Sequence, residues 1–201
     1  MNNRGSKSKE TATHLSVAVF YFCIQMETKT ILYIAMSQDG FIAGDGDNID
    51  FLNSYQVEGE DYGYGDFIKT IGAVVVGRKT YEKVIGMGYP YHDDKEVYVI
   101  TRAIKPPQKS PHFYSGNLYS LIDKLKSSNS GNIYCDGGAE LAKTLIGMGL
   151  IDKIVLSVIP ISLHKGTSLF NHGLVPSEFQ LENRVEFKTG LTQFTYSLKL
   201  G

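Results

Sequence analysis

The chain has few cysteines, no tryptophan and no excess of positive charge. Of its 201 residues only Cys23 and Cys135 are cysteines, and there is no tryptophan. A chain of this length buries about 70% of its unfolded surface and needs no disulfide to fold. Lys and Arg number 20 against 21 Asp and Glu, a net charge of -1. That balance gives no reason to expect nucleic acid as a partner.

A metal site is not expected from the histidines or cysteines. The five histidines lack a paired helical spacing, and no second cysteine lies near either thiol. Cys135 follows apolar residues and is interpreted as a small core side chain. Two isolated thiols are typical of a reducing, cytoplasmic setting.

The longest apolar run near the N-terminus is too short to span a bilayer. It covers Leu15–Ile24, ten residues, whereas a membrane helix takes about 20. Its charge and apolar stretch resemble a secretory signal, but no Ala-x-Ala cleavage site follows. We therefore expect residues 1–25 to be an extension outside the fold, Met26 to be the functional start, and residues 26–201 to form one domain without a membrane partner.

From Thr30 onward, strand patterns alternate with helix patterns and end in a hairpin. This order predicts an α/β sheet that is mostly parallel, with an antiparallel edge. The predicted strands are Thr30–Ala35, Ala73–Val76, Val97–Thr101, the run from Ile133, Ile154–Ile159, Phe179–Phe187 and Leu191–Leu200, and the predicted helices are Glu60–Ile71, Thr80–Ile85, Leu118–Lys126 and Ala139–Met148.

Two strand-to-helix junctions carry the main functional signal. Ala73–Thr80 and Ile133–Glu140 each end an apolar strand in glycine just before a helix. The free N–H groups and positive dipole end of such a helix favour a phosphate. The first junction also carries Arg78, Lys79 and the Thr80 hydroxyl. Two such junctions in one domain predict a binding site for the two ends of a dinucleotide.

Each junction also has a simpler interpretation. Arg78, Lys79 and Arg102 can be ordinary solvated charges at strand ends rather than phosphate ligands. Gly137–Gly138 can be a tight turn that serves only packing, and the G-x-G-x-x-G fingerprint is absent.

Two aspartates are candidate acids. Asp39 lies in a long loop, Ser37–Asp50, where Asp-Gly can be simply a turn or can present a carboxylate at the mouth of the cleft. Asp136 precedes the two glycines, where it can either bind substrate or donate a proton, or cap the following helix. Three tyrosines, Tyr62, Tyr64 and Tyr81, can line a ring pocket or belong to the core.

These segments together resemble the dihydrofolate-reductase-like superfamily, and most closely the reductase domain of bifunctional riboflavin-biosynthesis deaminase-reductases and its stand-alone relatives. The resemblance covers Thr30 to Leu200 and implies a three-layer α/β fold. It is carried by Ala35–Ala43, Gly77–Glu82, Val99–Arg102, Asp136–Leu141 and Ile154–Phe170.

The resemblance implies that NADPH binds across the strand ends. Residues matching Ala35 and Ile42 flank the nicotinamide, and those matching Asp39 and Asp136 are linked to substrate and turnover. It implies that the segments Gly77, Arg78, Lys79, Thr80 and Thr101, Arg102 take the phosphates and the adenosine 2′-phosphate, and that Gly137 and Gly138 meet the pyrophosphate. Ala139 and Glu140 are the other cofactor-binding residues that it implies. It also allows a homodimer, since many relatives dimerise.

The expected function is hydride transfer from NADPH to a small heterocycle that resembles 5-amino-6-(5-phosphoribosylamino)uracil or a pterin. The proton donor stays open among Asp39, Asp50, Asp136 and a bound water. Phe41 replaces the basic or small residue that often follows Asp-Gly, which weakens the case for a ribose phosphate. The alternatives are a true dihydrofolate reductase, against which the missing Pro-Trp counts, a silent nucleotide- or pterin-binding protein, and a structural subunit.

Overall fold

The computed structural model describes residues 27–88, 90–103, 106, 110–128, 130–170 and 174–199. These residues form ten strands and four α-helices. The strands are β1 (Thr30–Ser37), β2 (Phe41–Ala43), β3 (Ile71–Gly77), β4 (Glu96–Ile100), β5 (His112–Tyr114), β6 (Asn132–Gly137), β7 (Lys153–Ile159), β8 (Thr167–Ser168), β9 (Phe179–Glu186) and β10 (Thr192–Leu198), and the helices are α1 (Tyr64–Lys69), α2 (Arg78–Gly86), α3 (Leu118–Ser128) and α4 (Ala139–Gly147).

Eight strands form one sheet in the order β5-β4-β3-β6-β1-β7-β10-β9, and β2 pairs with β8 in a second, small sheet. The six strands from β5 to β7 run parallel. Strand β10 is antiparallel to both β7 and β9. The predicted α/β fold with an antiparallel C-terminal edge is confirmed.

Helices cover both faces of the sheet because side chains on each strand alternate between the two faces. On β3, Ala73 and Val75 pack with the residues of α3 and α4, whereas Val74 and Val76 pack with those of α1 and α2. Buried α3 residues include Leu121 and Leu125, and buried α4 residues include Leu141 and Leu145. The result is a three-layer arrangement with the β3–β6–β1 strands at its centre.

The predicted helix Glu60–Ile71 is wrong in extent. Helix α1 spans only Tyr64–Lys69, and Ile71 is buried as the first residue of β3. The start is delayed because Asp61 accepts hydrogen bonds from the N–H groups of Gly63 and Gly65, which fixes a turn there.

Other sequence-based expectations differ in smaller ways. The short strands β2, β5 and β8 are additional to those predicted, and the loop after β1 contains β2 and two 3-10 turns, Asp45–Asp47 and Asp50–Tyr55. The proposed extension, residues 1–25, lies outside the described residues. Within the described residues, no helix has the length and apolar character to cross a bilayer.

Candidate active site

The sheet order brings the two glycine junctions side by side. Strands β3 and β6 are neighbours, and Val76 is in register with Gly137. A Cβ built on Gly77 would lie 3.5 Å from the Gly137 carbonyl oxygen and 3.6 Å from the Gly138 nitrogen, so the junctions are in van der Waals contact. The peptide bond between Gly137 and Gly138 is cis. The two junctions therefore lie together at one edge of the sheet.

A hydrogen bond joins the junctions directly. The Gly138 N–H donates to the Thr80 hydroxyl oxygen at 3.0 Å. A Cβ on Gly138 would lie 2.8 Å from that same oxygen, closer than side chains normally approach. Glycine at position 138 therefore allows the backbone to reach Thr80.

Both helices at these junctions begin without a side-chain cap. The residue before α2 is Gly77 and the residue before α4 is Gly138, and neither helix start has a capping side-chain hydrogen bond among the described residues. Each helix has nine residues, so its dipole and first N–H groups favour an anion at this edge. The two starts face the edge where the carboxyl ends of β3 and β6 meet.

The charged side chains of the first junction lie at the surface. Arg78 donates to Glu82, one turn later on α2, at 2.5 Å, and both side chains are about half exposed. Lys79 is exposed. On the second junction, Ala139 is half-buried and Glu140 is exposed. These side chains are therefore accessible to a ligand at the strand ends.

The remaining predicted cofactor residues come from the neighbouring strands β4 and β1 and from β2 of the small sheet. Thr101 follows β4, is buried, and its hydroxyl accepts a hydrogen bond from the N–H of Ala103 at 3.1 Å, while Arg102 is exposed. Ala35, near the end of β1, and Ile42, in β2, are half-buried. The cofactor roles of all these residues stay predictions.

The Asp39 carboxylate is engaged in fixing loops. It accepts hydrogen bonds from the Ser37 hydroxyl at 2.5 Å and from the N–H groups of Leu163 at 3.1 Å and His164 at 2.8 Å. The little desolvation it has raises its pKa, but these hydrogen bonds outweigh that effect and hold the pKa of Asp39 below its usual value. A carboxylate held this way suits an anchor better than a proton donor.

Asp136 lies in a different environment. Its carboxyl oxygens accept hydrogen bonds from the hydroxyls of Tyr91 and Tyr134, both of which are buried. Desolvation raises the pKa of Asp136, opposed by the two tyrosine hydrogen bonds and the nearby His92. Since the side chain points to these tyrosines and α4 has no side-chain cap, the interpretation of Asp136 as a helix cap is wrong.

Aromatic rings surround Asp136 on the α1–α2 face of the sheet. The Tyr134 ring meets Tyr64, Phe67 and His92 edge-on, with centroids 6.4, 5.1 and 5.9 Å away. Burial, followed by the charge of Asp136, raises the pKa of Tyr64 to about 12. Of the tyrosines considered from sequence, Tyr64 thus belongs to this aromatic group. Tyr81 joins it through Tyr91, whereas Tyr62 contacts Phe187.

Three residues beside Asp136 were not anticipated from the sequence. Tyr134 lies two positions before Asp136 on β6 and so shares its face, a signal that strand periodicity offered. Tyr91 and His92 come from the segment between α2 and β4, where no periodicity indicates direction. His92 is half-buried with φ of 49°, and burial lowers its pKa, opposed mainly by Asp136.

A family model described as the RibD C-terminal domain matches residues 28–192. The chain belongs to this family. Among similar members of the curated proteins are two uncharacterized proteins of Bacillus subtilis (strain 168). YwjB is 37% identical over 81% of this chain and 94% of its own length, and YyaP is 28% identical over 85% of this chain and 95% of its own.

Solved structures support the same fold for this RibD C-terminal domain chain. A proposed riboflavin biosynthesis protein from Shewanella sp. PV-4 is 26% identical with a TM-score of 0.75, covering 86% of this chain and 100% of that one. Dihydrofolate reductase from Enterococcus faecalis, solved with NADP(H) and RAB-propyl, is 17% identical with a TM-score of 0.58. The match covers 86% of this chain and 97% of that one. A deaminase/5-amino-6-(5-phosphoribosylamino)uracil reductase from Thermotoga maritima is 15% identical with a TM-score of 0.63. The match covers 90% of this chain and 59% of that one.

Proposed function

We propose that this protein is an NADPH-dependent reductase that transfers a hydride to a small heterocyclic substrate. The observation that carries the proposal is the contact between the starts of two helices, at Gly77 and Gly138, neither of which has a side-chain cap. These helices follow two neighbouring parallel strands, β3 and β6. Ligands of such sheets bind at the carboxyl ends of the strands. Membership of the RibD C-terminal domain family is consistent with a reductase.

The residues at this edge fit a phosphorylated dinucleotide. Gly138 leaves the backbone at the junction without a Cβ, in a space where a side chain would meet Thr80. The first N–H groups of α2 and α4 supply donors for phosphate oxygens. Arg78 and Arg102 are exposed enough to reach the additional phosphate that distinguishes NADPH from NADH.

When bound, NADPH supplies the hydride, and the protein supplies position and a proton. Ala35 and Ile42 are the residues that we assign to the nicotinamide end. Of the two aspartates, Asp136 is the better candidate for the acid, because desolvation raises its pKa, whereas the hydrogen bonds of Asp39 lower the pKa of that carboxyl. Asp39 instead fixes the β1 end to the Leu163–His164 backbone.

The substrate that we propose is a planar heterocycle resembling 5-amino-6-(5-phosphoribosylamino)uracil or a pterin. The rings of Tyr64, Phe67, Tyr91 and Tyr134 form the α1–α2 side of the region around Asp136. Aromatic rings offer such a substrate edge-on or stacked contacts. Asp136 offers it a hydrogen-bond acceptor or a proton.

The test begins with cofactor titration. We expect NADPH fluorescence to increase saturably on addition of protein, with NADH binding more weakly. The chain has no tryptophan, so the cofactor signal has no indole background. Turnover is then sought with pyrimidine and pterin substrates. Saturable NADPH binding without turnover of any substrate would favour a nucleotide-binding protein, and the absence of NADPH binding would contradict the proposal altogether.

A further inference from the structure

Gln193 on β10 lies in the same row of the sheet as Ala35. Ala35 pairs with Ser157 on β7, and Ser157 pairs with Gln193. Neighbouring strands are about 4.8 Å apart, so the backbone of Gln193 lies about 10 Å from that of Ala35. The Gln193 side chain contacts the Tyr33 hydroxyl, and Tyr33 packs on the α1–α2 face of the sheet. Ala35 follows Tyr33 by two positions and shares that face.

The amide nitrogen of Gln193 is held by three acceptors. Nε2 lies 2.9 Å from the Tyr33 hydroxyl oxygen, 3.2 Å from the Tyr62 carbonyl oxygen and 3.2 Å from the Ser157 hydroxyl oxygen. An amide nitrogen has two hydrogens to donate, so these acceptors use both.

The network also fixes which end of the amide faces Tyr33. The Tyr62 carbonyl can only accept, and the Tyr33 hydroxyl donates its one hydrogen to that carbonyl at 2.9 Å. Burial raises the pKa of Tyr33, so the hydroxyl keeps this hydrogen. Both groups therefore require a donor from Gln193, which only Nε2 supplies.

The amide oxygen of Gln193 is left without a partner. Within the part of the chain that the structure describes, the side-chain hydrogen bonds of Gln193 are all made by Nε2. Oε1 is also not one of the buried polar atoms that lack a partner there. It is therefore an accessible acceptor on an amide whose orientation is fixed.

Tyr62 does not depend on Gln193 for its position. The Tyr62 ring meets that of Phe187 edge-on at 5.0 Å, and its hydroxyl donates to the Tyr55 carbonyl at 2.7 Å. Its own carbonyl already accepts the Tyr33 hydroxyl. What Gln193 adds to this network is an amide that cannot rotate, with its oxygen unused.

We propose that Gln193 is a specificity-determining residue whose Oε1 accepts a hydrogen bond from a substrate ring N–H that adjoins a carbonyl, the group that uracils and pterins share. This inference rests on the proposed function, in which Ala35 contacts the nicotinamide end of the cofactor. A ring bound next to the nicotinamide is within reach of Gln193. Because the amide is fixed, a ring that lacks this N–H leaves Oε1 without a donor and is disfavoured.

The test compares two pyrimidines by isothermal titration calorimetry, without cofactor and with NADP⁺, which has no hydride to give. We expect wild-type protein to bind 5,6-diaminouracil more tightly than 5,6-diamino-1,3-dimethyluracil, which has no ring N–H. Gln193→Met keeps the length of the side chain and removes its polar atoms. We expect it to weaken binding of 5,6-diaminouracil about 3- to 10-fold and to change binding of the dimethyl compound by less than about 2-fold.

Two variants serve as controls. Ser157→Ala leaves Nε2 with two acceptors for its two hydrogens, so the amide stays fixed. Gln180→Met makes the same substitution at an exposed position of β9. Both are expected to keep the wild-type preference. Equal weakening of both pyrimidines in Gln193→Met, or no preference in wild-type protein, would overturn the proposal.

A second measurement needs no substitution at Gln193. In wild-type protein labelled with ¹³C at the glutamine Cδ and assigned through the backbone, the Gln193 resonance is expected to shift saturably with 5,6-diaminouracil and not with the dimethyl compound. A resonance that responds equally to both compounds, or to neither, contradicts the inference.

The outcomes separate this inference from the proposed function. If NADPH does not bind while the preference for the ring N–H depends on Gln193, the recognition stands and the reductase proposal fails. If NADPH binds with the same affinity in Gln193→Met and wild type, but the preference does not depend on Gln193, only the present inference fails.

Discussion

The hydroxyl of Thr80 accepts a hydrogen bond from the backbone N–H of Gly138 at 3.0 Å. This bond connects the first turn of α2 with the residue that precedes α4. Because β3 and β6 are adjacent strands, the bond closes a short bridge between the two junctions at the strand ends. Its strength therefore affects both the fold and the geometry offered to a phosphate.

Loss of this acceptor should destabilise the protein. Thr80→Val keeps the shape of the side chain but leaves the Gly138 N–H without its partner, and we expect the free energy of unfolding to fall by about 1–3 kcal/mol. Thr80→Ser keeps the hydroxyl and serves as the control, with a smaller loss. Urea denaturation measures both, and equal stabilities of the Val and Ser variants would show that the bond contributes nothing.

A side chain at position 138 should disturb the same bridge. In Gly138→Ala the new Cβ would lie 2.8 Å from the Thr80 hydroxyl, so we expect a loss of stability of about 1–3 kcal/mol and weaker NADPH binding. Gly147→Ala is the control: it lies at the end of α4 with nothing within 4 Å of its Cβ, and helix propensity predicts a gain of up to about 1 kcal/mol. Similar effects of both variants on NADPH affinity would contradict the assignment of Gly138.

Arg78→Ala should distinguish NADPH from NADH. Loss of charge-assisted contacts of about 1.5–3 kcal/mol corresponds to roughly 10- to 150-fold weaker NADPH binding, with little change for NADH. The Arg78–Glu82 pair is about half exposed, so stability should change by less than about 1 kcal/mol. Fluorescence titration measures both cofactors, with Lys143→Ala on the exposed side of α4 as a charge-matched control. A proportional loss for NADPH and NADH would show that Arg78 does not contact the additional phosphate.

Asp39 should make the free energy of unfolding depend on pH in the acid range. Its pKa is lowered in the folded protein, so its contribution is fully present above the unfolded value, about 3.9, and is lost as pH falls through the folded pKa. Asp39→Asn should therefore be less stable than wild type at neutral pH, with a difference that shrinks towards low pH. Urea unfolding over a pH series tests this, and a constant difference would mean that the charge of Asp39 plays no part.

The junctions were predictable because each is a local pattern. An apolar run, a glycine and then a helical period appear within eight residues at Ala73–Thr80 and at Ile133–Glu140. Sheet class followed from the alternation of such units. That the two junctions touch depends on the strand order, which makes β3 and β6 neighbours and pairs Val76 with Gly137.

The length of α1 was not predictable from periodicity. Tyr64, Phe67, Ile68 and Ile71 fit one helical face, yet Ile71 contributes its side chain to β3. Hydrogen bonds from Gly63 and Gly65 to Asp61 begin the helix late. A short polar turn thus decided the boundary against the apolar pattern.

The surroundings of Asp136 depend on contacts remote in sequence. Tyr91 reaches it from the segment before β4, and nothing local indicates that direction. The contact with Tyr134 could have been predicted from the sequence, since Tyr134 shares a face of β6 with Asp136. The cap interpretation failed because the buried tyrosine hydroxyls, rather than the start of α4, attract the carboxylate.

The position of β1 has a consequence for synthesis of the chain. This strand lies near the centre of the sheet, and its neighbours are β6 and β7. Thr30 pairs with Ile133 and Ile31 pairs with Lys153, so both partners of β1 are synthesised more than 100 residues later. During translation, which adds about 5–20 residues per second, an apolar strand leaves the ribosome many seconds before its pairing partners exist. Until β7 emerges, β1 lacks both of its neighbouring strands, so the central sheet is completed only after most of the chain has been synthesised.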